Sequence, residues 1–229
     1  MKILVLSSGG VDSTTCLAMA VHEVGAENVI ALSIYYGQKH DKEIRAAQAV
    51  ADFYGVKRME LDLAAIFSGS NCSLLKDSGR EIPTDSYAQQ LEEAEGGLVS
   101  TYVPFRNGLF LSSAASVALS HDCSKIIYGA HADDMAGAAY PDCSVQFVDA
   151  MRASIELGTG GQLTMDAPFV SATKAEVVKK GLELGAPFHL TWSCYEGGDK
   201  PCMKCATCID RMAAFEANGI IDPILKEEN

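Results

Sequence analysis

The sequence predicts an α/β fold, a doubly wound parallel sheet, on three observations. Apolar runs of strand length recur at Ile3-Leu4-Val5-Leu6 and at Val29-Ile30-Ala31-Leu32-Ser33-Ile34-Tyr35, and a third strand is read over 56–61. Between them lie stretches with apolar residues at helical spacing, joined by short connections. The chain has 229 residues, 48% of them apolar, enough for one large domain with a substantial core.

The first run leads into Ser7-Ser8-Gly9-Gly10-Val11-Asp12-Ser13 and then Thr14-Thr15-Cys16-Leu17, whose small and apolar residues suit a packed helix. A strand, a Gly-Gly turn and a helix start form an anion site. Glycines let the backbone approach a ligand, and the free N–H groups of the first helical turn point at it. The hydroxyls of Ser8 and Ser13 add donors. No Gly-Lys-Ser/Thr follows at the Walker A spacing. The plain alternative is a tight turn with Asp12 or Ser13 as helix N-cap.

The second strand ends in Tyr36-Gly37-Gln38-Lys39-His40, and residues 41–54 place Ile44, Ala47, Val50, Ala51 and Tyr54 at helical spacing. Ligands of such sheets sit beyond the carboxyl ends of the strands, so this loop and the Gly-Gly loop share one rim. His40 either touches a ligand there or caps the following helix. The pattern breaks down over 65–98, which reads as a lid, a partner surface or a mobile insertion. A small-residue helix over 109–119 follows. A strand over 125–129 then ends in Ala130-His131-Ala132-Asp133-Asp134, and a helix over 145–157 precedes a short strand at 163–165. Thr173 is placed to cap a last helix of this part, with Gly185 as its stop. Lys174 at that helix start opposes the macrodipole. Neutralising a bound phosphate would explain it; a solvated charge is the alternative.

The net charge of −12 disfavours a broad phosphate-binding face for nucleic acid. No run reaches the roughly 20 apolar residues of a membrane span, and no signal peptide is recognised, so a cytoplasmic protein is expected. Four of the eight cysteines, Cys194, Cys202, Cys205 and Cys208, fall in one glycine-containing stretch, the last three at CxxCxxC spacing. Thiolate preference and spacing favour a closed tetrahedral zinc site, with an iron–sulfur cluster as the runner-up. Cys16, Cys72, Cys123 and Cys143 are scattered, as core or loop residues are.

Ser8-Gly9-Gly10-Val11-Asp12-Ser13 resembles the SGGxDS loop of the ATP pyrophosphatases, which cleave ATP to AMP and pyrophosphate. Further motifs are Tyr36-Gly37-Gln38-Lys39-His40 with Glu43, Val103-Pro104 with Arg106-Asn107, Tyr140-Pro141-Asp142-Cys143 and Thr173-Lys174-Ala175-Glu176. Together with Trp192-Ser193-Cys194-Tyr195 through Cys208 and Arg211, they make the whole chain resemble the 7-cyano-7-deazaguanine synthase family. The resemblance implies a Rossmann-like ATP-pyrophosphatase domain over 1–190 and a zinc-binding loop and helix over 191–229, often in a homodimer. It implies a reaction of 7-carboxy-7-deazaguanine, ammonia and two ATP that yields the nitrile, two AMP and two pyrophosphate.

The roles it implies follow residue by residue. Ser7, Ser8, Gly9, Gly10, Val11, Asp12, Ser13, Thr14, Thr15, Cys16 and Leu17 form the ATP-binding stretch. Asp12, Ser13 and Lys174 are the catalytic candidates, with magnesium on the ATP; Asp12 is either its ligand or an N-cap. Tyr36, Gln38, Arg106, Asn107, Asp133 and Asp134 are the substrate candidates. Arg106 can hold a planar charged ligand bidentately or pair with a carboxylate. Asp133 and Asp134 can bind magnesium, meet the amine edge of a deazaguanine, or form an acidic surface loop. Three features depart from the family pattern: Val11 stands where Gln or Leu is expected, Ser144 where Arg is usual, and the segment 130–139 is longer than usual. Competing readings are a different ATP pyrophosphatase, of amidotransferase or tRNA-thiolating type, and a zinc-ribbon binding module. The length leaves no room for a glutaminase domain.

Overall fold

The computed structural model describes residues 1–84, 89–90, 92, 98–133 and 140–225. Among them are five strands: β1 (Ile3–Leu6), β2 (Val29–Tyr35), β3 (Lys57–Asp62), β4 (Lys125–Ile127) and β5 (Thr164–Asp166). Six α-helices accompany them: α1 (Val11–Val24), α2 (Lys42–Tyr54), α3 (Arg106–Ser120), α4 (Val145–Gly158), α5 (Lys174–Glu183) and α6 (Ala206–Ala217). The strands form one parallel sheet in the order β3-β2-β1-β4-β5. The chain runs outward from β1 to one edge, then returns to its other side at β4. That reversal leaves a crevice between β1 and β4 at their carboxyl ends, where ligands of such sheets bind.

Both faces of the sheet are covered, which is why β1 is apolar at every position. Leu4, Leu6, Ile30, Leu32 and Ile126 pack against Leu111, Ala114 and Ala118 of α3 and Val148 and Ile155 of α4. Ile3, Val5, Val29, Ala31 and Ile127 pack on the opposite face with Cys16, Leu17 and Ala20 of α1, Val50 of α2 and Val177 of α5. The edge strand β3 is half-buried or exposed along its length, matching its mixed sequence Lys57-Arg58-Met59-Glu60-Leu61-Asp62.

Several boundaries differ from the expectation. Helix α1 begins at Val11 with Gly10 as its cap residue, without a side-chain cap bond. Neither Asp12 nor Ser13 is therefore the N-cap. The Ser13 hydroxyl bridges the loop, donating to the Gly10 carbonyl at 3.2 Å and accepting the Ser8 N–H at 3.2 Å. Strand β4 stops at Ile127, and beyond it Gly129 passes close to α1, where a Cβ would lie 3.3 Å from the Asp12 and Ser13 backbone. Helix α3 starts earlier than its apolar spacing, at Arg106. Ser144, at the position that departs from the family pattern, is the N-cap of α4 and accepts the Phe147 N–H at 3.1 Å. Thr173 caps α5 in a reciprocal capping box with Glu176, and Gly185 follows its end with φ +66°.

Part of the 65–98 stretch is packed. Phe67, Cys72, Leu74 and Leu75 form a buried cluster with Tyr36 and Val103, and Gln38 bridges to Leu75. At the C-terminal end, Val178 of α5 and Val11 of α1 pack against Phe188 and against Ala214 and Phe215 of α6. Arg211, 3% exposed, forks onto Asp222 at 2.6 and 2.9 Å and donates to the Phe188 and Thr191 carbonyls. No helix among the described residues is long and apolar enough to cross a membrane.

Candidate active site and four-cysteine cluster

The crevice between β1 and β4 opens into a cavity of about 240 Å³. Its floor is the loop after β1, with Ser7, Ser8, Gly10, Asp12 and Ser13 on the lining. Gly9 is needed beside it for a different reason. Its φ is +84°, and a Cβ there would lie 2.4 Å from the backbone of Glu43 and Ala47 in α2. Loop and helix thus touch main chain to main chain. The Ser7 hydroxyl is buried and makes no hydrogen bond to a described residue, leaving its polar atom available to a ligand.

Lys174, the first residue of α5, reaches back across the crevice and its ammonium donates to Asp12 Oδ2. His131, from the loop after β4, places Nε2 3.4 Å from the same ammonium and 3.7 Å from Asp12 Oδ1. Burial alone would raise the Asp12 carboxyl. The charges of Lys174 and His131 and the Lys174 hydrogen bond outweigh it and hold Asp12 below its ordinary value. Asp12 Oδ1 is buried and accepts no hydrogen bond from a described residue, an anionic acceptor fit for a cation. The strange position of Lys174 is explained by Asp133. Its Oδ2 accepts the Lys174 backbone N–H at 2.7 Å, so a carboxylate satisfies the helix start while the lysine side chain leaves it.

The second wall comes from β2 and α3. Arg106 stacks over Tyr36, 5.3 Å from the ring centroid, lies 6.0 Å from Phe110, and donates to the Tyr36 hydroxyl at 3.4 Å. Gln38 holds the turn by accepting the Tyr36 N–H at 2.9 Å. Asn107 is turned toward the Tyr140-Pro141-Asp142-Cys143 motif. Asp142 accepts its backbone N–H at 2.9 Å, placing an anion at the N-terminus of α3, and its amide donates to the Asp142 carbonyl at 3.3 Å. Tyr36, Gln38, Arg106 and Asn107 all line the cavity.

Other expected residues stand apart. Thr14, Thr15, Cys16 and Leu17 are fully buried under the loop, and Val11 packs toward α6, so none of these is on the cavity lining. Thr15 donates to the Val11 and Val177 carbonyls, tying α1 to α5. Asp133 caps α5 and is not on the lining; Asp134 lies outside the described residues. His40 packs against Gly197, where a Cβ would come within 2.4 Å of its ring, and Asp41 rather than His40 is the cap residue of α2. Glu43, His131, Trp192, Tyr195 and Asp210 line the cavity without having been singled out for it. Glu43, Trp192 and Tyr195 had a sequence signal, their places in the motifs that carry the family resemblance; His131 and Asp210 had none.

Cys194, Cys202, Cys205 and Cys208 bring their sulfurs within 4.8 Å of one another, and the Cys202 and Cys208 sulfurs are 4.0 Å apart. Zinc bound at about 2.3 Å holds tetrahedral sulfurs slightly under 4 Å apart, so the cluster fits that ion. The N–H groups of Cys202 and Glu196 donate to the Cys194 sulfur at 3.2 and 3.4 Å, and that of Cys205 to the Cys202 sulfur at 3.3 Å. Such bonds orient thiolates toward a cation. Four thiols this close together could hold a metal such as zinc.

Comparison with known proteins agrees with this geometry. The family model described as "Queuosine biosynthesis protein QueC" matches residues 2–219. A protein of Archaeoglobus fulgidus named 7-cyano-7-deazaguanine synthase is 40% identical over all of this chain and 91% of its own length. One of the same name from Oceanobacillus iheyensis is 40% identical, covering 97% of each chain. The solved NMN synthetase of Francisella tularensis shares the fold, with a TM-score of 0.51 at 13% identity over 95% of this chain and 77% of its own. The chain belongs to the QueC family of 7-cyano-7-deazaguanine synthases.

Proposed function

We propose that the chain converts 7-carboxy-7-deazaguanine and ammonia to 7-cyano-7-deazaguanine by two rounds of ATP cleavage to AMP and pyrophosphate. The observation that carries this reading is the convergence on one crevice of the Ser7–Ser13 loop, the Lys174–Asp12 pair and the Arg106–Tyr36 wall. A carboxylate resists attack because its leaving group would be oxide. Its oxygen attacks the α-phosphorus of ATP, pyrophosphate leaves, and the acid becomes an acyl adenylate. Ammonia then displaces AMP and loses a proton, giving the amide. The amide oxygen is adenylated in turn, pyrophosphate and one N–H proton leave, and departure of AMP with the second N–H proton leaves the nitrile.

The protein's work is positioning and charge stabilisation. The loop N–H groups with the Ser7, Ser8 and Ser13 hydroxyls receive the phosphates, and Lys174 stabilises the charge that gathers on departing pyrophosphate. Arg106, Tyr36, Gln38 and Asn107 frame the deazaguanine. Asp12, anionic and with one oxygen free, is the residue that would hold magnesium. Magnesium bound there supplies charge neutralisation for the phosphates. Residues 1–190 supply the nucleotide chemistry, and residues 191–229, held by zinc, complete the wall through Trp192, Ser193, Tyr195 and Asp210.

Chromatography of the nucleotide products tests the reading. AMP and pyrophosphate are expected with the acid and ammonia, with severe loss in Ser13→Ala and Asp12→Ala. ADP and phosphate as the main products would overturn it.

A further inference from the structure

Among the described residues three carboxylates line the cavity: Asp12, Glu43 and Asp210. Asp12 is engaged by Lys174 and His131, and Asp210 lies on α6 beside the cysteine cluster. Glu43 differs from both. It stands in the first turn of α2, which the missing Cβ of Gly9 brings into contact with the phosphate loop. Its carboxyl group makes no hydrogen bond or ion pair to a described residue, and its electrostatic neighbours are Arg106 and Tyr36. Those two residues are stacked as a flat cationic and aromatic shelf, the surface a planar heterocycle packs on.

The chemistry selects which heterocycle. Above about pH 7 the Glu43 carboxyl is ionised, and an ionised carboxylate only accepts hydrogen bonds. The N1–H and 2-amino groups of a guanine-type ring point the same way and meet both oxygens. An adenine ring offers one amino donor beside an acceptor nitrogen, which would face the second oxygen and repel it. An ammonium ion would suit the carboxylate but not the neighbouring Arg106. Resting on the function proposed above, we infer that Glu43 is the specificity-determining residue for the guanine edge. Its two oxygens accept the N1–H and 2-amino donors while Arg106 and Tyr36 flank the ring.

The test compares pyrophosphate release with 7-carboxy-7-deazaguanine and with the analogue lacking the 2-amino group, each at saturating ATP and ammonia. Wild type is expected to prefer the amino compound by about 10–100-fold in kcat/KM, the worth of a hydrogen bond to a charged group, chiefly through KM. Glu43→Gln should abolish that preference, because its amide presents a donor to a donor, and should leave the KM for ATP unchanged. Glu43→Asp, which keeps the charge, should retain part of the preference and stands in if the Gln variant does not fold. A wild type that turns over the acid but ignores the 2-amino group overturns this inference alone, as does a Gln variant that keeps the preference. So does a Gln variant whose defect follows the adenine amino group when ATP is replaced by purine riboside triphosphate. A wild type that releases no pyrophosphate with the acid overturns the proposed function and this inference with it.

Discussion

The backbone N–H of Trp192 donates to the carbonyl of Gly9 at 2.9 Å. The segment that carries the four cysteines is thereby tied to the phosphate loop itself. The Trp192 indole donates in turn to the Cys194 carbonyl at 2.7 Å, so the tie begins at a residue of the cysteine cluster. A metal held by the four cysteines would be coupled to the loop after β1 through this route.

Loss of the metal should therefore lower stability and activity together. Cys205→Ser is expected to lose the bound zinc and melt at a lower temperature, because zinc binding is folding free energy. Elemental analysis beside a thermal melt decides it. A metal-free variant with the wild-type melting temperature would exclude a structural role.

Gly9→Ala should be more damaging than its single methyl suggests. The new Cβ meets main-chain atoms of α2 at 2.4 Å, and at φ +84° an L side chain is strained as well. Backbone cannot rotate away as a side-chain tip can, so α2 must move off the loop. Circular dichroism should show a folded but less stable protein, with ATP cleavage reduced at least 100-fold by misplacement of the loop. Near-wild-type activity would contradict the contact.

Arg211 and Asp222 are both nearly inaccessible to water, and each is the other's charge partner. Asp222→Ala should destabilise by about 3–5 kcal/mol, since it leaves a buried guanidinium uncompensated. Replacing both residues by apolar ones of similar volume should recover much of that loss. Urea denaturation of the two single variants and the double variant measures the coupling.

The carboxamide of 7-deazaguanine should enter the proposed reaction halfway. It is expected to yield nitrile with one ATP consumed and no ammonia, whereas the acid consumes two ATP per nitrile. Counting AMP against nitrile settles the stoichiometry. Two AMP per nitrile from the amide would rule out the adenylated-amide step.

Burial pushes the Glu43 carboxyl up from its ordinary 4.5 to about 7, against the lowering effect of Arg106. The folded state then holds a proton that the unfolded chain has already released between those two values. By linkage, this group makes stability fall as pH rises from about 4.5 to 7, and the loss is complete above 7. Asp12 acts in the opposite direction, since its carboxyl is held low in the fold. The difference between wild type and Glu43→Gln isolates Glu43 from Asp12, His131, Lys174, Tyr36 and Arg106 around the same cavity. Glu43→Gln should gain stability relative to wild type as pH rises through that window. Thermal melts across pH 4–8 of the two proteins check the sign.

The strands, the helices and the phosphate loop were legible in the sequence because each depends on local pattern. Four apolar residues before Ser7-Ser8-Gly9-Gly10 can only be buried from both sides, and Thr173 with Glu176 writes a capping box into four residues. The cysteine cluster was legible because CxxCxxC brings three thiolates together over one turn of chain. Asp133 could not be placed from the sequence for a physical reason: an acidic residue after a strand reads the same whether it faces a ligand or accepts a hydrogen bond from the start of a distant helix. Only its bond to the Lys174 backbone, 41 residues away, separates the two.

By itself the sequence determined the α/β class, the family and the four cysteines that cluster. The tertiary structure alone decided which side chains share the crevice. His131, Glu43, Trp192 and Asp210 come from four separate parts of the chain. They meet because the strand order reverses between β1 and β4, and because α2 rests on Gly9. No residue's own propensity encodes either event; both follow from packing two helical layers onto one sheet.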